Sequence, residues 1–61
     1  MKFKVGDRVR TIRDLTFGET VLKEGNKGTV KIVGGGMIAY YIIAFDNFKE
    51  VFVIEKELDR I

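Results

Sequence analysis

The sequence predicts an all-β domain: a five-stranded small barrel with a long first loop and one short helical turn before the last strand. Three observations carry this expectation. Residues 37–45, MIAYYIIAF, hold no charge and no Gly, and six of the nine are β-branched or aromatic, the types that suit a pleated, packed surface. Turn-type residues bound this run on both sides, Gly34-Gly35-Gly36 before it and Asp46-Asn47 after it. The start of the chain alternates apolar with polar residues at a period of two.

The first strand is expected at residues 7–12. Val5 and Val9 fall on one side with Asp7 and Thr11, while Lys4, Arg8 and Arg10 fall on the other, as in a half-buried strand. Residues 14–27, DLTFGETVLKEGNK, are less regular, with Phe17, Val21 and Leu22 as apolar anchors and Glu24-Gly25-Asn26-Lys27 as a turn signal. A connection this long is unusual in so small a domain, and it reads either as a packed hairpin closing one end of the barrel or as a functional element. The second strand is expected at 28–33, with Val30 and Ile32 sharing one side. The three glycines then make a flexible connection into the central strand at 37–45. They are not a phosphate cradle, because a strand follows them where such a cradle needs a helix. Residues 46–49 form a hairpin turn and residues 50–54 the fourth strand. The run 55–58 is too short for a stable helix and fits a single helical turn before the chain closes.

Composition bounds the function. A chain of 61 residues is expected to be one domain, residues 1–61, of marginal stability unless something staples it. Cys and His are both absent, so disulfides and the usual zinc ligands are excluded, and packing, self-association or a partner must supply stability. With no Ser, Cys or His, the common nucleophile–base pairs cannot be assembled, and no catalytic residue, cofactor or metal site is expected. Glu55 and Glu57 are the nearest approach to paired carboxylates, yet on one short turn they do not face each other across a cleft. No apolar run has the length of a signal peptide or a membrane span, which points to a cytoplasmic protein. The net charge of +2 hides an asymmetry: residues 1–13 carry a balance of +4 and residues 46–61 one of −2.

The whole pattern resembles an SH3-like barrel. It comprises the basic strand Gly6-Asp7-Arg8-Val9-Arg10, a long loop, Gly28-Thr29-Val30, an aromatic strand ending Phe45-Asp46, a hairpin, and Glu55 with Leu58 around the last turn. The first phrase with Gly28-Thr29-Val30 resembles KOW-type modules of ribosomal and transcription-elongation proteins, a resemblance that implies nucleic-acid binding. The long loop and Phe45-Asp46 look more like the photosystem I stromal accessory subunit and the variable chain of ferredoxin–thioredoxin reductase, which implies an accessory subunit without chemistry of its own. Gly6-Asp7-Arg8-Val9-Arg10 with Leu58-Asp59-Arg60-Ile61 is also similar to type II dihydrofolate reductase, a tetramer with a shared pore. The segment matching its pore strand, Val51-Phe52-Val53-Ile54, lacks that family's Gln and Tyr.

In such a barrel Ala39, Tyr41, Ile43 and Phe45 turn inward with Val5, Val9, Val30, Ile32, Val51, Val53 and Leu58. That leaves Ile38, Tyr40, Ile42, Phe52 and Ile54 as an apolar surplus on the opposite face, where an antiparallel strand with one wet face would carry polar residues. Either the long loop folds over this face, or Ile38, Tyr40, Ile42 and Phe52 dock on a protein partner or a further copy of the chain. A second candidate surface is basic: Lys4, Arg8, Arg10 and Lys31 form a stripe able to contact the phosphates of a nucleic acid.

Overall fold

A computed structural model describes residues 2–61. Seven strands and one short helical turn follow in chain order: β1 Arg8–Thr11, β2 Leu15–Phe17, β3 Thr20–Leu22, β4 Lys27–Gly35, β5 Ala39–Phe45, β6 Glu50–Ile54, a 3-10 turn Glu55–Glu57, and β7 Leu58–Arg60. Five strands form one antiparallel sheet in the order β6-β5-β4-β1-β7, and β2 and β3 form a separate hairpin. The class is all-β. Among the described residues no helix is long and apolar enough to cross a membrane.

Most of the longest apolar run becomes β5, with β4 and β6 as its neighbours. Tyr41, Ile43 and Phe45 of β5 point inward and meet Val9, Val30, Val51, Val53 and Leu58, all buried. Phe3 and Leu22 complete this core, and Leu15, Phe17, Val33 and Phe48 pack on its rim. Gly28 is the tightest point. A Cβ there would lie 2.7 Å from Ile43 Cγ2 and 2.8 Å from the Ala44 carbonyl oxygen, so only glycine lets β4 approach β5 at this register.

Three expectations from the sequence are corrected. Val5 is exposed, at 61%, and Phe3 takes the inward place. The reason is a turn: Gly6 has φ 94°, the Asp7 N–H donates to the Lys4 carbonyl, and the Lys4 N–H donates to the Asp7 carboxylate. The alternation of β1 therefore does not run back through residue 5, and the strand starts at Arg8. Ile32 is also outside the core, at 54% exposure. The β4–β5 register shifts between Val30, opposite Ile43, and Ile32, opposite Ile42, leaving Lys31 as the extra residue of a bulge. Past the bulge the inward residue is Val33, opposite Tyr41. Finally, the glycines do not simply link two strands. Gly34 and Gly35 extend β4, and β5 begins at Ala39, which is half-buried, so Met37 and Ile38 belong to the turn.

Residues 14–27 hold the hairpin of β2 and β3. Its base is tied to the end of β1: the Thr11 N–H donates to the Asn26 carbonyl, the Gly25 N–H to the Thr11 carbonyl, and the buried Thr11 hydroxyl to the Lys23 carbonyl. Leu22 is thereby carried into the core, while Val21 stays exposed.

Candidate docking face

The bulge and the register of β4, β5 and β6 arrange the outer face of the sheet in three rows. Ile32, Ile42 and Phe52 lie side by side in the central row. Gly34, Tyr40 and Ile54 make the row on one side, and Thr29, Ala44 and Glu50 the row on the other. Two adjacent rows are apolar throughout. Ile32 and Phe52 are 54% and 55% exposed, with Tyr40, Ile42 and Ile54 half-buried among them.

Tyr40 and Phe52 stack with ring centroids 4.9 Å apart and planes 28° from parallel. The Tyr40 ring lies over Gly34, where any Cβ would collide with it. A glycine in the middle of an exposed row is thus covered by the aromatic ring of the neighbouring strand. Ile38, at 67% exposure, stands at the end of this face, in the turn, and borders a shallow hollow of about 350 Å3 with Met37 and Ile54. Of the residues expected to form a docking surface, Tyr40, Ile42 and Phe52 lie together on the sheet and Ile38 at its margin. Ile32 and Gly34 belong with them and were not expected there. The adjacent pair Ile32-Val33, which breaks the alternation set by Val30, is the sequence signal for the bulge that puts them there.

The long loop does not cover this face. Leu22 is in the core, Phe17 rests near Phe48 with centroids 6.4 Å apart, and Leu15 and Phe17 form the wall of a cleft of about 210 Å3 along the β6 edge beside Phe52 and Ile54. The hairpin flanks the apolar rows and leaves them open.

The basic stripe is divided. Arg8 makes a two-pronged contact with Asp46, at 2.7 and 3.1 Å, and also donates to the Thr29 hydroxyl. The hydrogen bond from Arg8 holds the Asp46 carboxyl below its ordinary value, and Asp46 in turn raises Arg8. Arg10 faces Asp59 at 3.7 Å. Lys4 lies in the turn before β1, and Lys31 is exposed in the bulge of β4, beside the apolar rows. The four residues do not form one uncompensated stripe, because both arginines already face a carboxylate.

Glu55 and Glu57 are occupied as well. The buried Tyr41 hydroxyl donates to Glu55 at 2.5 Å and accepts the Phe3 N–H at 3.2 Å, while the Lys2 N–H donates to the same Glu55 oxygen at 2.9 Å. Burial first, and then the bond to Glu55, push the Tyr41 hydroxyl above its usual value, and the bond from Tyr41 holds Glu55 below its own. This cluster pins residues 2–3 to β5. Glu57 sits 3.1 Å from Arg13. Among the described residues no group of three metal-ligating side chains could hold a metal ion. Comparison with protein families, with curated proteins and with solved structures finds no match.

Proposed function

We propose that this chain is a non-catalytic interaction module, an SH3-like barrel that docks on a protein surface through the outer face of β4, β5 and β6. The barrel reading draws support from the link between the sheet's two outermost strands. Laid flat, five strands at a spacing of ~4.8 Å put β6 and β7 about 19 Å apart. Yet only the three residues Glu55–Glu57 join them, and 3-10 geometry rises ~2 Å per residue. The sheet must curl strongly to bring its edges within that reach.

One observation carries the docking reading: two contiguous apolar rows are open to water in a domain with a small core. Ile32 and Phe52 are more than half exposed, positions where a polar residue costs the fold little, so the core does not require their apolar side chains. Covering what remains exposed of Ile32 and Phe52 contributes on the order of 1 kcal/mol each, which rewards association.

Sedimentation of a fluorescently labelled chain, alone and in extract of its source cells, tests this. Phe52→Lys, Tyr40→Lys and Ile42→Lys each leave the fold intact and return the chain to the free monomer's sedimentation. A wild type that sediments as a free monomer in both settings, or variants that sediment as the wild type does, would refute it. The second reading, a nucleic-acid-binding module using Lys4, Arg8, Arg10 and Lys31, has less support because Arg8 and Arg10 already face Asp46 and Asp59. Salt separates the two: a phosphate contact weakens steeply with added salt and an apolar contact does not.

A further inference from the structure

We propose that the occupant of the docking face is a second copy of this chain, related by a two-fold axis that brings Lys31 of each copy against Glu50 of the other. The inference rests on the docking reading and adds the identity of the partner and its orientation.

The charges around the apolar rows carry it. Arg8 and Arg10 are compensated within the chain by Asp46 and Asp59. Lys31, on the β4 side, and Glu50, on the β6 side, are both exposed, and among the described residues neither forms an ion pair. Beside the central row the face therefore presents Lys31 as an uncompensated cation on the β4 side and Glu50 as an uncompensated anion on the β6 side, with β5 between them.

A surface of that kind is complementary to itself under one rotation. Two sheets packed face to face keep their strands within about 30° of each other. A two-fold axis running along β5, midway between the sheets, carries β4 of one copy over β6 of the other. The central rows then meet as Ile32 on the partner's Phe52 and Ile42 on the partner's Ile42. Gly34, lowest of the outer residues, faces the partner's Ile54. Lys31, between the central row and the row of Thr29 and Glu50, comes against the partner's Glu50, and the symmetry makes that contact twice.

The alternative axis, across the strands, is disfavoured by the same residues. It would lay β4 on β4 and β6 on β6 with the rows inverted. Glu50 would then press on the partner's Ile54, a carboxylate held against an apolar side chain with no cation in reach. Lys31 would approach the partner's Lys31. Opposite charges on opposite flanks thus select the first axis and work against the second.

Sedimentation equilibrium of the wild type, of Lys31→Glu, of Glu50→Lys, and of an equal mixture of the two variants tests the arrangement. Both positions are exposed, so the variants unfold in urea as the wild type does. Each single variant places two like-charge contacts in the dimer and weakens it roughly tenfold or more. The mixture restores both opposite-charge contacts in a heterodimer and recovers the wild-type affinity. A wild-type dimer indifferent to either variant, or a mixture as weak as its components, would overturn the orientation. A monomeric wild type would overturn the second copy. A photo-crosslinking residue at position 52 then separates the two claims. A mixed adduct with another protein or a nucleic acid overturns only the identity of the partner, and no adduct of any kind overturns the docking reading as well.

Discussion

Removing the Tyr41 hydroxyl is the sharpest perturbation of the fold. Tyr41→Phe keeps a ring that is fully buried and its edge-on contact with Phe3, 5.4 Å between centroids. It deletes one oxygen, which accepts the Phe3 N–H and donates to Glu55. Phe3 is only 3% exposed, so its N–H has no ready access to water once the acceptor is gone. Leaving a buried donor unsatisfied costs ~1–3 kcal/mol. A 61-residue domain has on the order of 3–9 kcal/mol of stability in total, so the loss is a large share of it. At ~4–8 °C per kcal/mol the melting temperature falls by about 5–20 °C. Urea and thermal unfolding followed by circular dichroism measure both quantities, with the urea slope unchanged because the same surface is exposed. The Phe3 amide also exchanges with solvent faster in the variant. A melting temperature within ~2 °C of the wild type, with Phe3 exchange unchanged, would refute the claim that this hydroxyl pins the start of the chain.

Stability has both an acid and an alkaline limb. Asp46 and Glu55 are held below their ordinary values of 3.8 and 4.5, so what they contribute is complete above those values and is lost as pH falls through the folded ones. Tyr41 is held above its ordinary 10.0, so its contribution is complete below that value and is lost as pH rises towards the folded one. Urea midpoints from pH 2 to 11 show the plateau and both limbs, and Tyr41→Phe flattens the alkaline limb; an alkaline limb unchanged in that variant would contradict the assignment. Gly28→Ala drives a methyl to 2.7 Å from Ile43 Cγ2 and 2.8 Å from the Ala44 oxygen, and overpacking against backbone costs ~1–3 kcal/mol. Gly36→Ala meets nothing within 4 Å and stays within about 0.5 kcal/mol of the wild type in the same unfolding assay.

Much of the fold was legible because local pattern and tertiary role agree. β6 lies where residues 50–54 were expected, since its alternation of Val51 and Val53 with Phe52 runs unbroken between two turns. The helical turn over residues 55–57 follows from a run too short to form a longer helix. The β-class of residues 37–45 was legible but its start was not, because Gly34 and Gly35 pair with Tyr40 and Ala39 and so draw Met37 and Ile38 into the turn. The bulge at Lys31 shifts a two-residue period by one step and the turn at Gly6 interrupts it, so a periodic reading carried through either one places Ile32 or Val5 on the wrong side. The apolar outer face was legible as a surplus of apolar residues on two adjacent strands. The compensation of Arg8 was not, because the carboxylate that faces it lies 38 residues away, and only the folded sheet brings them together.

A photo-crosslinking residue at position 52 within the source cells, with one at position 19 on the exposed hairpin as control, most directly tests whether this chain works by docking. The apolar face predicts a discrete adduct from position 52, lost when Ile42→Lys is added, and none from position 19. The same adducts from both positions, or none from position 52, would contradict it.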